Sequence, residues 1–250
     1  MRKKIIYLFI VLGALPFFLG AHCHKTGKDG IDIGATSTQV LADGTALDTI
    51  YAGLPVNTPA SNRMVFFQTG AGDFANGFDT MTVLANRTDI DPGYIAAVVT
   101  WHASLRSGPD TITAYTTTEE VMSASLTLTL DSVAPDSLWL TASSDSITNA
   151  FNSQTTITGI LFNNFGGMVS INTLIFFSDS LVSPTGTTAA GGTFQPVVAK
   201  SDTASTVKTI YSLPSLTASG LIKITGYLQS PSGSKTPLPG KVEVYYSYSQ

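Results

Sequence analysis

The sequence contains little of the chemistry that most enzymes and nucleic-acid binders use. Of 250 residues, one is cysteine and three are histidine, and charged residues make up only 12%. A single cysteine cannot form an internal disulfide. The net charge of −4 comes without a visible basic patch, which a nucleic-acid-binding surface requires. We therefore expect no disulfide and no nucleic-acid partner.

Candidate catalytic and metal-binding groups are scattered and incomplete. His102 is the one histidine outside the N-terminal segment, and beside Trp101 we interpret it as part of a core or edge pair. Glu119-Glu120 is an adjacent pair in a turn rather than the two facing carboxylates of a glycosidase. Asp89-Ile90-Asp91 has the spacing of calcium ligands but lacks the later ligands of such loops. We expect no enzymatic activity, no cofactor and no metal site.

The N-terminal segment has the three parts of a secretory signal. Arg2-Lys3-Lys4 precedes an apolar run over Ile5–Leu19, which ends in Gly20-Ala21-His22-Cys23. The run is shorter than the roughly 20 apolar residues that a membrane-spanning helix needs. We predict a signal peptide over residues 1–22 and an exported protein.

The only cysteine lies where the apolar run ends. Leu19-Gly20-Ala21-His22-Cys23 resembles a lipobox, although His22 replaces the usual small residue. The resemblance implies that Cys23 carries a diacylglycerol and becomes the first mature residue. Cleavage after Ala21, which would leave a free thiol, is the alternative. Residues 23–32 are short, polar and Gly-containing, so we predict a flexible tether.

Two segments recur along the chain at nearly constant spacing. Met64–Phe67 returns 110 positions later as Leu174–Phe177, and Asp110–Tyr115 returns 112 positions later as Ile222–Tyr227. Matches in the same order at nearly the same offset indicate a tandem repeat. Ser and Thr are abundant while Glu, Lys and Gln are scarce, a composition typical of all-β proteins.

Short strand-like stretches separated by turn residues predict two β-sandwiches. Ser125–Leu130 alternates strictly between polar and apolar residues, as a half-buried strand does. Pro135 marks the joint, because proline interrupts strand pairing. We predict an all-β fold of two tandem immunoglobulin-like sandwiches after the signal peptide, over residues 33–132 and 133–250. In the second, Ser230–Gly240 is predicted to be a long loop because it is rich in Pro, Gly and Ser.

The first repeat contains five short segments that carry a resemblance: Ala42-Asp43-Gly44, Thr49-Ile50-Tyr51-Ala52, Val65-Phe66-Phe67, Gly72-Asp73-Phe74 and Thr111-Ile112-Thr113-Ala114. With these segments the repeat resembles the bacterial immunoglobulin-like domains of invasin- and intimin-type adhesins. The second repeat lacks the Ala-Asp-Gly turn and the Gly-Asp-Phe piece that carry part of this resemblance. The resemblance implies rigid spacer modules in an adhesive or structural protein.

Eight triplets consist of Asp, then Ser or Thr, then an apolar residue. They resemble the acceptor motif for O-linked glycans on exported proteins of Bacteroidota, which implies candidate modification sites. The alternative is structural, because a turn Asp that leads into a Thr-apolar strand produces the same triplet. The candidate acceptors are Thr49, Thr80, Thr111, Ser132, Ser137, Ser146, Ser180 and Thr203.

These observations lead to two functional expectations. The first is a non-enzymatic cell-envelope lipoprotein, structural or adhesive, anchored in the outer membrane on its periplasmic or surface face, with secretion as the alternative. Its partners would be the membrane and another envelope protein or a polysaccharide. The second is a carbohydrate-binding module of a surface glycan-uptake system, suggested by aromatic residues that could stack on sugars. These are Trp101, Trp139, Tyr245, Tyr246 and Tyr248.

Overall fold

Alternation of apolar and hydroxyl-bearing side chains builds nearly all of the structure from β-strands. A computed structural model of the protein describes residues 25–26, 30–117, 122–150, 153–183, 186–213, 219–229 and 234–248. Within these ranges the only helical piece is a 3-10 turn over Ala60–Asn62. No helix in this part of the chain is long and apolar enough to cross a membrane.

The first sandwich consists of two five-stranded sheets. Its strands are β1 (Lys25–Thr26), β2 (Asp32–Ala35), β3 (Gln39–Leu41), β4 (Leu47–Pro55), β5 (Met64–Thr69), β6 (Asp73–Phe74), β7 (Thr80–Leu84), β8 (Tyr94–His102), β9 (Gly108–Thr116) and β10 (Ser123–Asp131). Sheet A has the order β1-β2-β4-β8-β6, and sheet B has the order β3-β10-β9-β5-β7.

The second sandwich consists of a four-stranded and a six-stranded sheet. Its strands are β11 (Ser137–Ala142), β12 (Ser146–Thr148), β13 (Gln154–Phe162), β14 (Leu174–Ser183), β15 (Gly186–Thr188), β16 (Thr193–Gln195), β17 (Val198–Lys200), β18 (Thr206–Ser212), β19 (Gly220–Gln229) and β20 (Lys235–Ser247). Sheet C has the order β11-β13-β18-β16. Sheet D has the order β12-β20-β19-β14-β15, and β17 also pairs with β14.

Each sandwich has its own apolar core between its two sheets. In β10, Ala124, Leu126, Leu128 and Leu130 all point inward, as the strict alternation of this segment predicted. The first core is formed by residues between positions 31 and 130, and the second by residues between positions 138 and 246. The prediction of an all-β fold with two tandem sandwiches is confirmed.

The repeated sequence segments occupy equivalent strands in the two sandwiches. Phe66 of β5 lies opposite Tyr115 of β9, with ring centroids 4.7 Å apart. Phe176 of β14 lies opposite Tyr227 of β19 in the same antiparallel arrangement. Each sandwich also contains one parallel pair, β3 with β10 and β12 with β20. The spacing of about 110 residues therefore relates strands with the same neighbours.

Two segments differ from what the sequence predicted. Asp32 lies in β2 and Ile31 is fully buried in the first core, although both fall in the predicted flexible tether. Lys235–Gly240, predicted to be part of a long loop, forms the first half of β20. Its pairing with β19 shifts register between Thr225 and Tyr227, and such a bulge accommodates residues that a regular ladder would not.

Candidate functional site

The segment between β13 and β14 reaches from the second sandwich to the first. We call residues 163–173 the junction loop. Its first turn is held by Asn163, whose side-chain oxygen accepts hydrogen bonds from the N–H groups of Phe165 and Gly167, both at 2.9 Å. The Asn163 amide donates to the carbonyl oxygen of Met168 at 3.0 Å. An asparagine that bonds to its own turn in this way fixes the direction in which the rest of the loop leaves.

Ser170 joins the second sandwich to the first. Its side chain is buried, with 1% of the residue surface exposed. The Ser170 hydroxyl donates to the carbonyl oxygen of Ala42 at 2.9 Å and accepts from the N–H of Val133 at 2.8 Å. The Ser170 N–H donates to the Val133 carbonyl oxygen at 3.2 Å. Ser170 therefore bonds to the first sandwich and to the linker, which we define as residues 132–136 between β10 and β11.

Neighbouring groups hold the junction loop from both sides. The N–H of Ile171 donates to the carbonyl oxygen of Leu105 in the first sandwich at 2.9 Å. The Ser170 carbonyl oxygen accepts the hydroxyls of Thr173 and Ser201, at 2.6 and 2.9 Å, within the second sandwich. Buried polar groups cost free energy when they lose a partner, so this pairing opposes displacement of the loop.

A cleft lies beside the junction loop, between the two sandwiches. Its volume is about 330 Å³, which is at the lower end of the range for small-molecule sites. Residues of both sandwiches, among them Leu105 and Ile171, which are hydrogen-bonded to each other, line this cleft. The cleft is lined by Gly70, Ala71, Ser104, Leu105, Arg106, Ile171 and Thr203.

Sequence reasoning did not identify Ser170. Its residue type is common in this chain, and its hydrogen-bond partner Ala42 is 128 positions away. No local pattern around Met168-Val169-Ser170 signals a contact at that distance. The only hint is the position of the loop in a two-sandwich fold, because the linker at Pro135 must bring one end of each sandwich together.

The predicted Trp101-His102 pair is divided between the core and the surface. Trp101 is fully buried, and its indole N–H donates to the Thr69 hydroxyl at 3.0 Å. Thr69 in turn donates to the Asp110 carboxylate at 2.6 Å. His102 faces outward, with Nδ1 2.9 Å from Oδ1 of Asp73. Trp101 therefore has a structural role. The prediction that Trp101 could stack on a sugar is wrong, because its ring is buried in the core.

The candidate calcium segment is engaged with an arginine. The carboxylate of Asp89 accepts two hydrogen bonds from the Arg87 guanidinium, at 2.8 and 2.7 Å. These hydrogen bonds lower the pKa of Asp89 to about 2. Among the described residues, no group of three or more His, Cys, Asp or Glu side chains is placed to hold a metal ion. Glu119 and Glu120 lie outside the described residues.

The aromatic residues of the predicted sugar platform point in different directions. Tyr246 is fully buried and Tyr248 packs against the second core, so the face that they share is the inner face of sheet D. The prediction of a sugar-binding platform on the face shared by Tyr246 and Tyr248 is wrong, because this face is covered by the second core. Tyr245 points outward with 50% exposure, and Trp139 on sheet C is 64% exposed. These two residues are on opposite sheets of the second sandwich.

The eight candidate acceptors for glycans fall into two groups by exposure. Thr111, Ser132, Ser146 and Thr203 are exposed, whereas Thr49, Thr80, Ser137 and Ser180 are partly buried.

The aspartates of two triplets accept hydrogen bonds from nearby segments of the chain. Asp48 accepts the Thr36 hydroxyl and its neighbour's N–H, the latter at 2.7 Å. Asp202 accepts the N–H groups of Ala204 and Thr206, both at 2.9 Å. Asp202 thus holds a turn, as the structural alternative expects, whereas Asp48 is a buried residue of β4 that accepts hydrogen bonds from the segment after β2. Cys23 and the predicted signal peptide lie outside the described residues.

Comparison with known proteins identifies relatives in fold. The adhesin InvE of Yersinia pseudotuberculosis aligns with a TM-score of 0.52 and 14% identity, over 85% of this chain and 57% of that one. Invasin, a bacterial integrin-binding protein, aligns with a TM-score of 0.53 and 17% identity, over 88% of this chain and 39% of that one. No protein-family model and no curated protein sequence matches the chain.

The chain has the fold of the tandem immunoglobulin-like domains of invasin-type adhesins. This agrees with the resemblance that the sequence carries in its first repeat. At identities of 14% and 17% the likeness concerns the fold. The chain spans 57% and 39% of the length of these two structures, so it corresponds to a part of each.

Proposed function

We propose that the protein is a non-enzymatic cell-envelope protein whose two sandwiches form a rigid spacer or interaction module. The observation that carries this proposal is Ser170, which is buried and hydrogen-bonded to the first sandwich and to the linker. Domains of one chain usually move relative to each other. Hydrogen bonds of a buried side chain across the junction oppose such motion. The shared fold with InvE and invasin supports an adhesive or structural role.

The spacer is proposed to be held at the outer membrane by a lipid on Cys23. The support is the order of charged, apolar and small residues before this cysteine. Two or more acyl chains anchor a protein stably, since each buried CH₂ contributes about 0.8 kcal/mol. The domain limits 33–132 and 133–250 remain part of the proposal, as does the alternative of a secreted protein.

Spin-label distances between the sandwiches test the rigid spacer. We would place labels at Thr111→Cys and Ser178→Cys, exposed positions on the first and second sandwich, in the full chain carrying Cys23→Ser. We expect a narrow distance distribution in double electron–electron resonance. Ser170→Ala should broaden it, because the Ala42 carbonyl and the Val133 N–H both lose their partner.

Ser201→Ala is the matched control for this experiment. Ser201 is also a buried serine that bonds to the junction loop, but its partners, Ser170 and Thr173, belong to the second sandwich. This variant should keep the narrow distribution. A broad distribution in the unmodified protein, or equal broadening by both variants, would contradict a joint held by Ser170.

The mass of the mature protein from isolated membranes tests two further proposals, the lipid anchor at Cys23 and the glycosylation of the candidate acceptors. A chain that begins at lipidated Cys23 supports the anchor, and a chain that begins at His22 with a free thiol contradicts it. Hexose-sized increments on peptides that contain the eight acceptors would support glycosylation. We expect such increments first at the four exposed positions, Thr111, Ser132, Ser146 and Thr203.

Carbohydrate binding is a second candidate function, favoured by the exposure of Trp139. The Trp139 side chain is 64% exposed on the outer face of a sheet, so its flat ring is accessible for stacking on a sugar. A pull-down with insoluble polysaccharides tests this function. Binding that is absent across common glycans would contradict it.

A further inference from the structure

The outer surface of sheet C differs in chemistry from the other surfaces of the second sandwich. Residues alternate along each strand, so one set points to the core and the other to solvent. We call the outward set the Trp139 face. It consists of Ser137, Trp139, Thr141, Gln154, Thr156, Thr158, Ile160, Phe162, Thr206, Lys208, Ile210 and Ser212.

The apolar part of this face is centred on Trp139. Trp139 in β11 lies directly opposite Ile160 in β13, and both side chains are exposed. Cross-strand partners in an antiparallel pair have Cβ atoms about 5 Å apart, so the indole and the Ile160 side chain form one continuous apolar patch. The face of an indole carries partial negative charge and attracts the partially positive C–H groups of a sugar ring.

Hydroxyl groups border the apolar patch formed by Trp139 and Ile160. Thr158 lies opposite Thr141 on one side and opposite Lys208 on the other. Thr141 donates to the Thr158 carbonyl oxygen at 3.3 Å, which leaves its oxygen free to accept. Thr156 follows on the same face of β13. A row of hydroxyls beside an aromatic ring matches a ligand that has both C–H faces and hydroxyls, which is the chemistry of a polysaccharide.

Lys208 gives this face a positive charge without a negative one. None of its twelve outward residues is acidic, in a chain with 17 acidic and 13 basic residues. On the opposite sheet, by contrast, Lys241 is paired with Glu243 at 2.6 Å. An isolated ammonium on a hydroxyl-rich face complements a carboxylate or another anion of the ligand.

The spacing of the ring and the ammonium suits an extended ligand. Lys208 is two strands away from Trp139 and two residues further along, since Thr141, Thr158 and Lys208 are in register. Strands are about 4.8 Å apart and residues rise about 3.4 Å, so the two Cα atoms are separated by about 12 Å. A single sugar ring does not span this distance, whereas a chain of several sugars does.

We propose that the Trp139 face binds an acidic polysaccharide, with Trp139 stacked on a sugar ring and Lys208 paired with a carboxylate of a uronic acid. This inference rests on carbohydrate binding, the second candidate function above. To the proposal of carbohydrate binding it adds that the ligand is negatively charged and that Trp139 and Lys208 recognise it. Because the face is on the flank of the second sandwich, it stays open when the junction loop holds the two sandwiches together.

Binding of the full chain to polygalacturonate, measured by affinity electrophoresis and calorimetry, tests the proposal. The comparison ligand is the same polymer with its carboxyl groups methyl-esterified, which removes the negative charge and adds a small apolar methyl group. We expect tighter binding to polygalacturonate, weakened by salt because a charge pair contributes. Trp139→Ala should weaken binding to both polymers about tenfold or more. Lys208→Gln should weaken binding to polygalacturonate about two- to fivefold and leave the ester unchanged.

Tyr245→Ala is the matched control, because Tyr245 is a half-exposed aromatic residue on the opposite sheet. It should bind both polymers like the unmodified protein. Equal binding of the acidic and the esterified polymer would overturn the inference and leave carbohydrate binding intact. Binding of neither polymer, with other glycans also unbound, would overturn both. A loss in Tyr245→Ala without a loss in Trp139→Ala would place the site elsewhere and overturn the inference.

Discussion

The indole of Trp101 belongs to a buried chain of hydrogen bonds that ends at a charged group. Trp101 donates to Thr69, Thr69 donates to Asp110, and Asp110 also accepts the N–H of Gly70 at 3.0 Å. Asp110 is buried, so its carboxylate depends on these donors in place of water. This aspartate therefore has a structural role, although it is also the first residue of a candidate acceptor triplet.

Substitutions at neighbouring positions separate these two roles. We predict that Asp110→Asn lowers the free energy of unfolding by about 1–3 kcal/mol, because a neutral amide replaces a charged acceptor of two hydrogen bonds. Thr111→Ala should change it by less than about 0.5 kcal/mol, because Thr111 is exposed. Urea unfolding followed by Trp fluorescence measures both. Equal effects of the two variants would contradict the structural role of Asp110.

Tyr211 presents a similar arrangement in the second core. Its hydroxyl donates to the Asp179 carboxylate at 2.6 Å, and its ring packs against Phe194 with centroids 4.9 Å apart. Burial of the phenol, and then its hydrogen bond to Asp179, raise the pKa of Tyr211 well above its ordinary value. Ionisation of this phenol is therefore strongly disfavoured in the folded protein.

We predict that Tyr211 makes the second sandwich sensitive to alkali. Unfolded tyrosine ionises near pH 10. The raised pKa of the folded form contributes stability that is complete below about pH 10 and is lost as the pH rises further, since only the unfolded state releases the proton. Tyr211→Phe should cost about 1 kcal/mol at neutral pH and reduce the slope of stability above pH 10. Tyr245→Phe, which alters a half-exposed tyrosine, should leave both unchanged in chemical unfolding at each pH.

At the scale of strands, the contact between β20 and β11 depends on one glycine. Gly240 has φ +137°, and a Cβ at this position would overlap the carbonyl oxygen of Leu138 in β11. β20 belongs to sheet D and β11 to sheet C, so this close approach joins the two sheets at one edge of the sandwich. Leu138 in turn packs its side chain into the second core.

We predict that Gly240→Ala is among the most damaging single substitutions in the second sandwich. Gly186→Ala is its control, because Gly186 has a similar φ of +132° but nothing within 4 Å of a new Cβ. Backbone strain alone should cost about 1–3 kcal/mol at Gly186. Gly240→Ala adds a steric overlap with backbone and should cost about 4 kcal/mol or more. Thermal unfolding compares them, and similar losses of Tm would argue against the close contact.

The strands with alternating residues were predictable, and the contacts between distant segments were not. The alternation in Ser125–Leu130 and the recurrence of Met64–Phe67 depend on local patterns, which reflect the periodicity of a strand. Lys235–Gly240 has the composition of a loop, and only pairing with β19 makes it a strand. Ser170 and the exposure of Trp139 depend on how elements pack. The sequence therefore predicted most of the sheet residues and named Trp139, but it predicted neither the strand at Lys235–Gly240, nor the junction, nor the exposure of Trp139.

For the whole molecule, the separation of the two cores has consequences for folding. Among the described residues, the two clusters of buried side chains share no member, and the linker and the junction loop join the two sandwiches. A domain with its own core is able to fold alone. Separating the sandwiches would break the hydrogen bonds of the junction loop to the first sandwich, each of which contributes about 1 kcal/mol.

We predict that residues 133–250, expressed alone, fold cooperatively with a lower Tm than the same sandwich has in the full chain. The fragment keeps its whole core but exposes Ser170, which loses Ala42 as a partner. A fragment over residues 143–250 should not fold, because it lacks β11 with Leu138 and Leu140. Circular dichroism during heating distinguishes them. An unfolded 133–250 fragment would contradict the proposed domain limits.

The parallel strand pairs determine how the molecule would respond to tension. Gln39–Leu41 pairs in parallel with Thr129–Asp131 at the end of the first sandwich, and Ser146–Thr148 pairs with Tyr245–Ser247 at the end of the second. When the two ends of such a pair are pulled apart, the strands must slide past each other, so the hydrogen bonds share the load and break together. An antiparallel hairpin pulled from its open end would break one bond at a time. Tension applied across either parallel pair would therefore load all of its hydrogen bonds at once.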